Sequence, residues 1–305
     1  MKKKTAISVC ICLAAVLLLC SCGKPTALGI IKDMVSAYGK VSSFEGTGDM
    51  ELTIDVGTSA LGAGVNMELA TSTKTDIQSA QNICRTNGKT DVGLGSLGSA
   101  DIDIDSYTVT GGDGITVYTN TGSGWTKYTS SAESSESSVT AGIADVFKAV
   151  TSTDMSLREN TETYNGREVY VIDLSLSGEA VDILTGGSLE SSLSELFGED
   201  TQIDMSGVRA SVVLKVYKDT KLPAEIDLDL GSSLQSALDA AAEKLSSGVS
   251  AIIDIDITME IKTHTVKLTF DSYNTVDSIE IPQEALDAEE SSGASGNGIL
   301  DTIFS

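Results

Sequence analysis

The residues that could do chemistry are few and scattered. Gly93-x-Gly95-x-x-Gly98 has the spacing of a dinucleotide-binding loop, in which glycines let the backbone approach a pyrophosphate held at a helix N-terminus. That chemistry needs a strand before the glycines and a helix after them. Here Ser99 to Tyr107 follows with strand alternation, so the glycines read as a loop. Asp101-x-Asp103-x-Asp105 suggests calcium, but an EF-hand loop requires Gly at its sixth position and Glu at its twelfth. Those positions hold Ser106 and Gly112. Aspartates at period two more simply form the wet face of a strand, and Asp227/Asp229 and Asp254/Asp256 repeat the pattern. His264 is the single histidine, so a catalytic triad would have to use it. It lies in Lys262-Thr263-His264-Thr265, which reads as a hairpin turn, with no nucleophile elbow and no second metal ligand beside it. The expectation is a protein without catalysis, cofactor or metal.

The cysteines carry a different chemistry. Lys2-Lys3-Lys4, an apolar run from Ala6 to Leu19 and then small residues form the tripartite pattern of an export signal. The apolar run is shorter than the roughly 20 residues a transmembrane helix needs. Leu19-x-Ser21-Cys22 resembles the lipobox of bacterial lipoproteins, which implies cleavage after Ser21 and a diacylglyceryl group on Cys22. Cys20 is the rival, but Leu19 before it is bulky where the lipobox requires a small residue. Two acyl chains anchor stably where one binds marginally. The expected organisation is a signal peptide over 1–21 and a lipidated cysteine with a short tether over 22–25. A folded domain follows over 26–283, then a flexible acidic and Ser/Gly-rich tail over 284–305. Four tether residues reach about 14 Å at most, which keeps the domain close to the membrane on the extracytoplasmic side.

Of five cysteines, Cys10, Cys12 and Cys20 leave with the signal and Cys22 takes lipid. Cys84 remains alone, without an intramolecular disulfide partner, and reads as a small buried hydrophobe. The charge is strongly acidic, with 44 Asp and Glu against 20 Lys and Arg and a formal net charge of −24. Loss of Lys2, Lys3 and Lys4 deepens it. Such a surface repels nucleic acid and anionic headgroups, so membrane attachment has to be covalent.

The elements follow from periodicity. Thr26 to Val41 reads as a helix, with Leu28, Ile31, Val35 and Tyr38 on one side. Leu52, Ile54 and Val56, then Val65, Met67 and Leu69, alternate as a hairpin. Asn87-Gly88 suggests a tight turn. Further strands are expected over 101–105, 115–119, 125–128, 169–176, 208–217 and 226–230. The pattern Ile253 to Ile261 reads as one strand, Val266 to Phe270 as its hairpin partner, and Ile279 to Pro282 as the closing strand. Helical patterns cover 139–150, 180–197 and 232–246. The fold class expected is α+β, a large curved antiparallel β-sheet (half-barrel) with helices covering its concave apolar face. Trp125 reads as a core or cavity-rim residue. The helical stripes supply Leu189, Leu193 and Phe197, and Leu234 and Leu238, as candidates for lining a cavity. The plain alternative is that they only pack on the sheet.

The succession of a lipobox, a short helix, Val41-Ser42-Ser43-Phe44, Ile115-Thr116-Val117-Tyr118, Trp125-Thr126-Lys127-Tyr128, Tyr217-Lys218-Asp219-Thr220-Lys221-Leu222-Pro223 and Val276-Asp277-Ser278-Ile279-Glu280-Ile281-Pro282 resembles the LolA/LppX-like lipoproteins, in their Gram-positive branch. The resemblance spans 26–283. It implies a half-barrel around an apolar cavity and a lipid or acyl chain as ligand. It transfers no set of binding residues. The competing expectation is a surface interaction or sensor module that binds a protein partner.

Overall fold

The computed structural model describes residues 24–60, 63–111, 114–131, 147, 155–177, 209–231 and 255–290, together with 234, 235, 238, 239, 242, 243 and 246. The expected signal, Cys22, most of 139–150, all of 180–197 and residues 291–305 lie outside them.

Helix α1 (Ala27–Tyr38) starts where expected. The Thr26 hydroxyl accepts from the Gly29 N–H at 3.1 Å, satisfying one of the donors a helix start leaves over. The buried stripe is Ile30, Ile31, Met34 and Tyr38, one residue round from the stripe Leu28 and Val35 suggested. Twelve strands then form one sheet: β1 (Ser43–Ala60), β2 (Ala63–Ala80), β3 (Ile83–Gly93), β4 (Ser99–Gly111), β5 (Gly114–Asn120), β6 (Trp125–Ser131), β7 (Met155–Leu157), β8 (Glu162–Tyr164), β9 (Arg167–Ser177), β10 (Arg209–Tyr217), β11 (Pro223–Asp229) and β12 (Ile255–Tyr273). The order is β6-β5-β4-β3-β2-β1-β12-β11-β10-β9-β7, with β8 also on β9. Every pairing between these strands is antiparallel. The sheet is curved and unclosed, as the fold class expected.

Several strands differ from the sequence reading, each for a physical reason. His264 is not in a turn: β12 runs unbroken from Ile255 to Tyr273 and pairs with β1 along its length. The register slips by one residue between Thr53 and Ile54, leaving Lys262 as the extra residue. A bulge of that kind reverses the alternation downstream. That is why apolar residues fall at odd numbers up to Ile261 and at even numbers from Val266. Asn87-Gly88 is not a turn either. Both lie inside β3, opposite Asp76 and Thr75. A side chain at Gly88 would collide with the Lys74 carbonyl and Thr75 backbone, so this glycine permits close approach of two strands. The turn falls instead at Gln81-Asn82, where Gln81 takes φ 56°. Ile279 to Pro282 forms no strand. Ile279 and Ile281 pack beside Tyr107 and Tyr118, and a short helix, Gln283–Leu286, buries Ala285 there. Lys127 N–H then donates to the Glu289 carbonyl at 3.3 Å. Residues 284–290 therefore belong to the packed domain and not to the expected tail.

The main core joins α1, Phe147 and Leu234 to one face of β9, β10, β11 and β12. Tyr38, Phe44, Phe270 and Tyr273 form an aromatic knot with ring centroids 5.5–6.4 Å apart, tying α1 to the centre of the sheet.

Candidate functional site

The pairing register assigns every strand residue to one of two faces, because opposed partners share a face and neighbours alternate. The inward face is the one that holds the main core. On β9 to β12 it presents aliphatic and aromatic residues such as Ile172, Leu214, Ile226 and Leu268. On β1 it presents Gly46, Gly48, Met50, Leu52 and Ile54. On β2 to β6 it turns to small hydroxyl residues among aliphatics. Thr71, Thr73, Thr75, Thr86, Thr90, Ser106 and Thr119 share this face with Val92, Ile102, Ile104 and Val117. The hydroxyls bond among themselves: Thr73 and Thr90 lie at 2.9 Å, and Thr75 donates to the Gly48 carbonyl at 3.2 Å.

Charge is segregated by the same alternation. Asp49, Glu51, Lys74, Asp76, Arg85, Lys89, Asp91, Asp101, Asp103 and Asp105 all fall on the outward face. Among the described paired residues, one carboxylate takes an inward position. This is Glu168 at the rim of β9, paired with Lys218 at 3.3 Å. The aspartate run that resembled a calcium site is held by cations of the next strand: Lys89 to Asp101 at 2.7 Å, Arg85 to Asp105 at 3.1 Å. Lys89 and its neighbouring hydrogen bonds keep the Asp101 carboxyl below the usual carboxylate range. No cluster of metal-ligating side chains occurs among the described residues.

Trp125 is not brought together with Leu234, which lies in the main core. Trp125 opposes Asn120 on the outward face and packs 5.7 Å from the Tyr107 ring, in a small outer cluster. Leu234 is in the main core and Leu238 is buried as well. Leu189, Leu193 and Phe197 lie outside the described residues. Cys84 faces inward, and burial pushes its thiol up to about 11. Near pH 8 about one thiol in a thousand is ionised, and the thiolate is the reactive form. We expect a water-soluble thiol reagent to leave Cys84 unmodified in the folded chain and to modify it fully in denaturant; rapid native labelling would contradict this burial.

One feature was missed in the sequence. Beyond Asp229, β11 leaves β12, so among the described strands the first half of β12 pairs with β1 alone. Gln235 and Ser246, both helical, lie along this edge. Gln235 Nε2 donates to the Met259 carbonyl, and the Ile261 N–H donates to Gln235 Oε1, both at 2.7 Å. The Ile257 N–H donates to the Ser246 hydroxyl at 2.9 Å. Side chains thus supply the hydrogen bonds a neighbouring strand would have made. At this parting lies a cleft of about 410 Å³, lined by Asp229, Gly231, Gln235, Glu260, Ile261, Lys262, Thr263, His264 and Thr265. His264 faces inward opposite Leu52, is 8% exposed, and its Nδ1 has no hydrogen-bond partner. The signal that reveals it is the change of phase between Ile261 and Val266.

Burial pushes the His264 pKa below 6.5, opposed in part by the charge of Asp229. The unfolded chain therefore binds the proton more readily. The stability this residue contributes is complete above about pH 6.5 and is lost as the pH falls through the lower folded value. The thermal midpoint of the wild type should fall more than that of His264→Gln between pH 7 and pH 5. Parallel curves would show that the imidazole stays solvated.

A family model described as a family of unknown function, DUF6612, matches residues 26–290. The chain belongs to this family. The DUF6612 domain so matched takes in residues 284–290, in agreement with their packing. Among curated proteins none matches. Solved structures similar to this DUF6612 chain include the lipoprotein LppX of Mycobacterium tuberculosis, at 12% identity over 83% of this chain and 97% of that one, TM-score 0.41. LprF of Mycobacterium bovis matches at 11% identity over 85% and 97%, TM-score 0.42. A putative outer membrane lipoprotein-sorting protein domain from Vibrio parahaemolyticus matches at 9% over 81% and 92%, TM-score 0.19. The fold of this DUF6612 chain rests on its strand order and register, not on these scores.

Proposed function

We propose that this protein is an extracytoplasmic lipoprotein, anchored through a diacylglyceryl group on Cys22, that binds a lipid or acyl chain against the inward face of its sheet without catalysis. The observation that carries the reading is the segregation of charge. In a chain with 64 charged residues, the inward positions of the described strands hold none away from the rim. A binding surface for an uncharged chain gains about 0.8 kcal/mol per methylene removed from water, and a charge on it would forfeit that gain. The test is native mass spectrometry and solvent extraction of the chain, purified from membranes in mild detergent. A stoichiometric lipid in addition to the Cys22 anchor is the expected result. A protein mass without it, and no uptake of fluorescent fatty acid or phospholipid, would overturn the reading in favour of a module that binds a protein partner.

A further inference from the structure

The cleft at the parting of β11 and β12 is lined by residues of both faces of the sheet. Asp229, Glu260, Lys262, Thr263 and Thr265 stand at its outer side, and Ile261 and His264 at its inner end. Most of its polar groups are already engaged. Lys262 lies 2.6 Å from Glu260 and 3.5 Å from Asp55. Asp229 Oδ1 accepts from the Gly231 N–H at 2.9 Å, and Gln235 is held by the β12 edge. Among the buried polar atoms of its described lining, His264 Nδ1 is left without a partner, which costs free energy that a correctly placed ligand group would recover.

We infer that this cleft is the site for the polar end of an uncharged amphiphile, whose hydroxyl-bearing head meets His264 Nδ1 while its chain lies on the inward face. This rests on the reading of the inward face given above. A hydroxyl suits the site because it both donates and accepts, and so partners an imidazole in either tautomer. A carboxylate or phosphate does not suit it. It would add a negative charge to a partly desolvated cleft that already holds Asp229 and Glu260 against one cation, Lys262, which Glu260 engages, and like charges there repel. The class selected is a monoacylglycerol or fatty alcohol rather than a fatty acid or an anionic phospholipid.

Membranes carrying the full chain can be incubated with photoactivatable monooleoylglycerol, oleic acid or phosphatidylglycerol, irradiated, and the chain assayed for label and for labelled peptides. The wild type should take at least fivefold more monooleoylglycerol than oleic acid. His264→Leu should lose about tenfold of the monooleoylglycerol label, His264→Gln should keep most of it, and Asp229→Asn, which retains the acceptor for Gly231, should raise oleic acid labelling several-fold. Thermal unfolding identifies any variant that fails to fold, and the Asp229→Asn ratio then decides alone. Equal labelling of wild type and a folded His264→Leu, or an unchanged ratio in Asp229→Asn, overturns the assignment of the head to this cleft. No specific labelling of the wild type by any of the three probes overturns the acyl-binding reading itself.

Discussion

Val212→Asp should unfold the domain, and Ser211→Asp, one residue earlier on the same strand, should leave it intact. Val212 faces inward at 1% exposure among Leu174, Leu214 and Leu228, while Ser211 is exposed on the outer side. An aspartate at 212 has no cation among the described residues of the inward face to meet it, and an uncompensated buried charge costs on the order of 3–5 kcal/mol. An exposed aspartate at 211 stands opposite Asp229, a like-charge pair in water that costs less than about 1 kcal/mol. The same contrast belongs on the hydroxyl half of the sheet. Thr90→Asp should destabilise, though by less, because the Thr73 hydroxyl beside it can donate to the new carboxylate. Asp91→Thr on the opposite face should be close to neutral. Urea unfolding followed by the fluorescence of the single tryptophan measures all four. Equal losses at 211 and 212 would refute the division into a charged and an uncharged face, and with it the main support for the proposed function.

Phe270→Ala should cost about 3–5 kcal/mol, the range for removing a large aromatic from a core. Phe270 is 2% exposed and touches Tyr38, Phe44 and Tyr273. Its loss both opens a cavity and loosens α1, which depends on Tyr38 for its grip. Two readings together check this: the urea midpoint, and hydrogen exchange over Ala27–Tyr38, which should accelerate more than exchange in β9 to β11. Exchange that rises evenly over the domain would mean that α1 is held mainly by Ile30, Ile31 and Met34.

Much of the sheet was legible because its two faces differ in charge and the difference repeats every second residue. Where aliphatics alternate with Asp or Glu, as in Ile102-Asp103-Ile104, strand and face were both readable. Where the inward face changes to threonine, as on β3 at Thr86 and Thr90, hydropathy no longer separates the faces, and Asn87-Gly88 imitated a turn. Bulges hid the rest. One extra residue at Lys262 made a single nineteen-residue strand look like two strands joined by a histidine-bearing turn, and so concealed the cleft. The stripe of Leu234 and Leu238 was legible from helical spacing. Trp125 was not, since an aromatic at the head of a strand suits either face and only the register with Asn120 decides.

The neighbour of β1 at the middle of the sheet is β12, and the bond between Glu45 and Ser272 closes a separation of 227 residues. The two halves of the sheet are thus sewn together by the last made of its twelve described strands. Until it arrives, β1 presents a long edge of unmet donors and acceptors to solvent, the state most open to mispairing with another chain. Contacts so distant also slow folding. A chain truncated before residue 255 should therefore aggregate rather than fold in part, and a nascent chain needs its β1 edge shielded until β12 has been made.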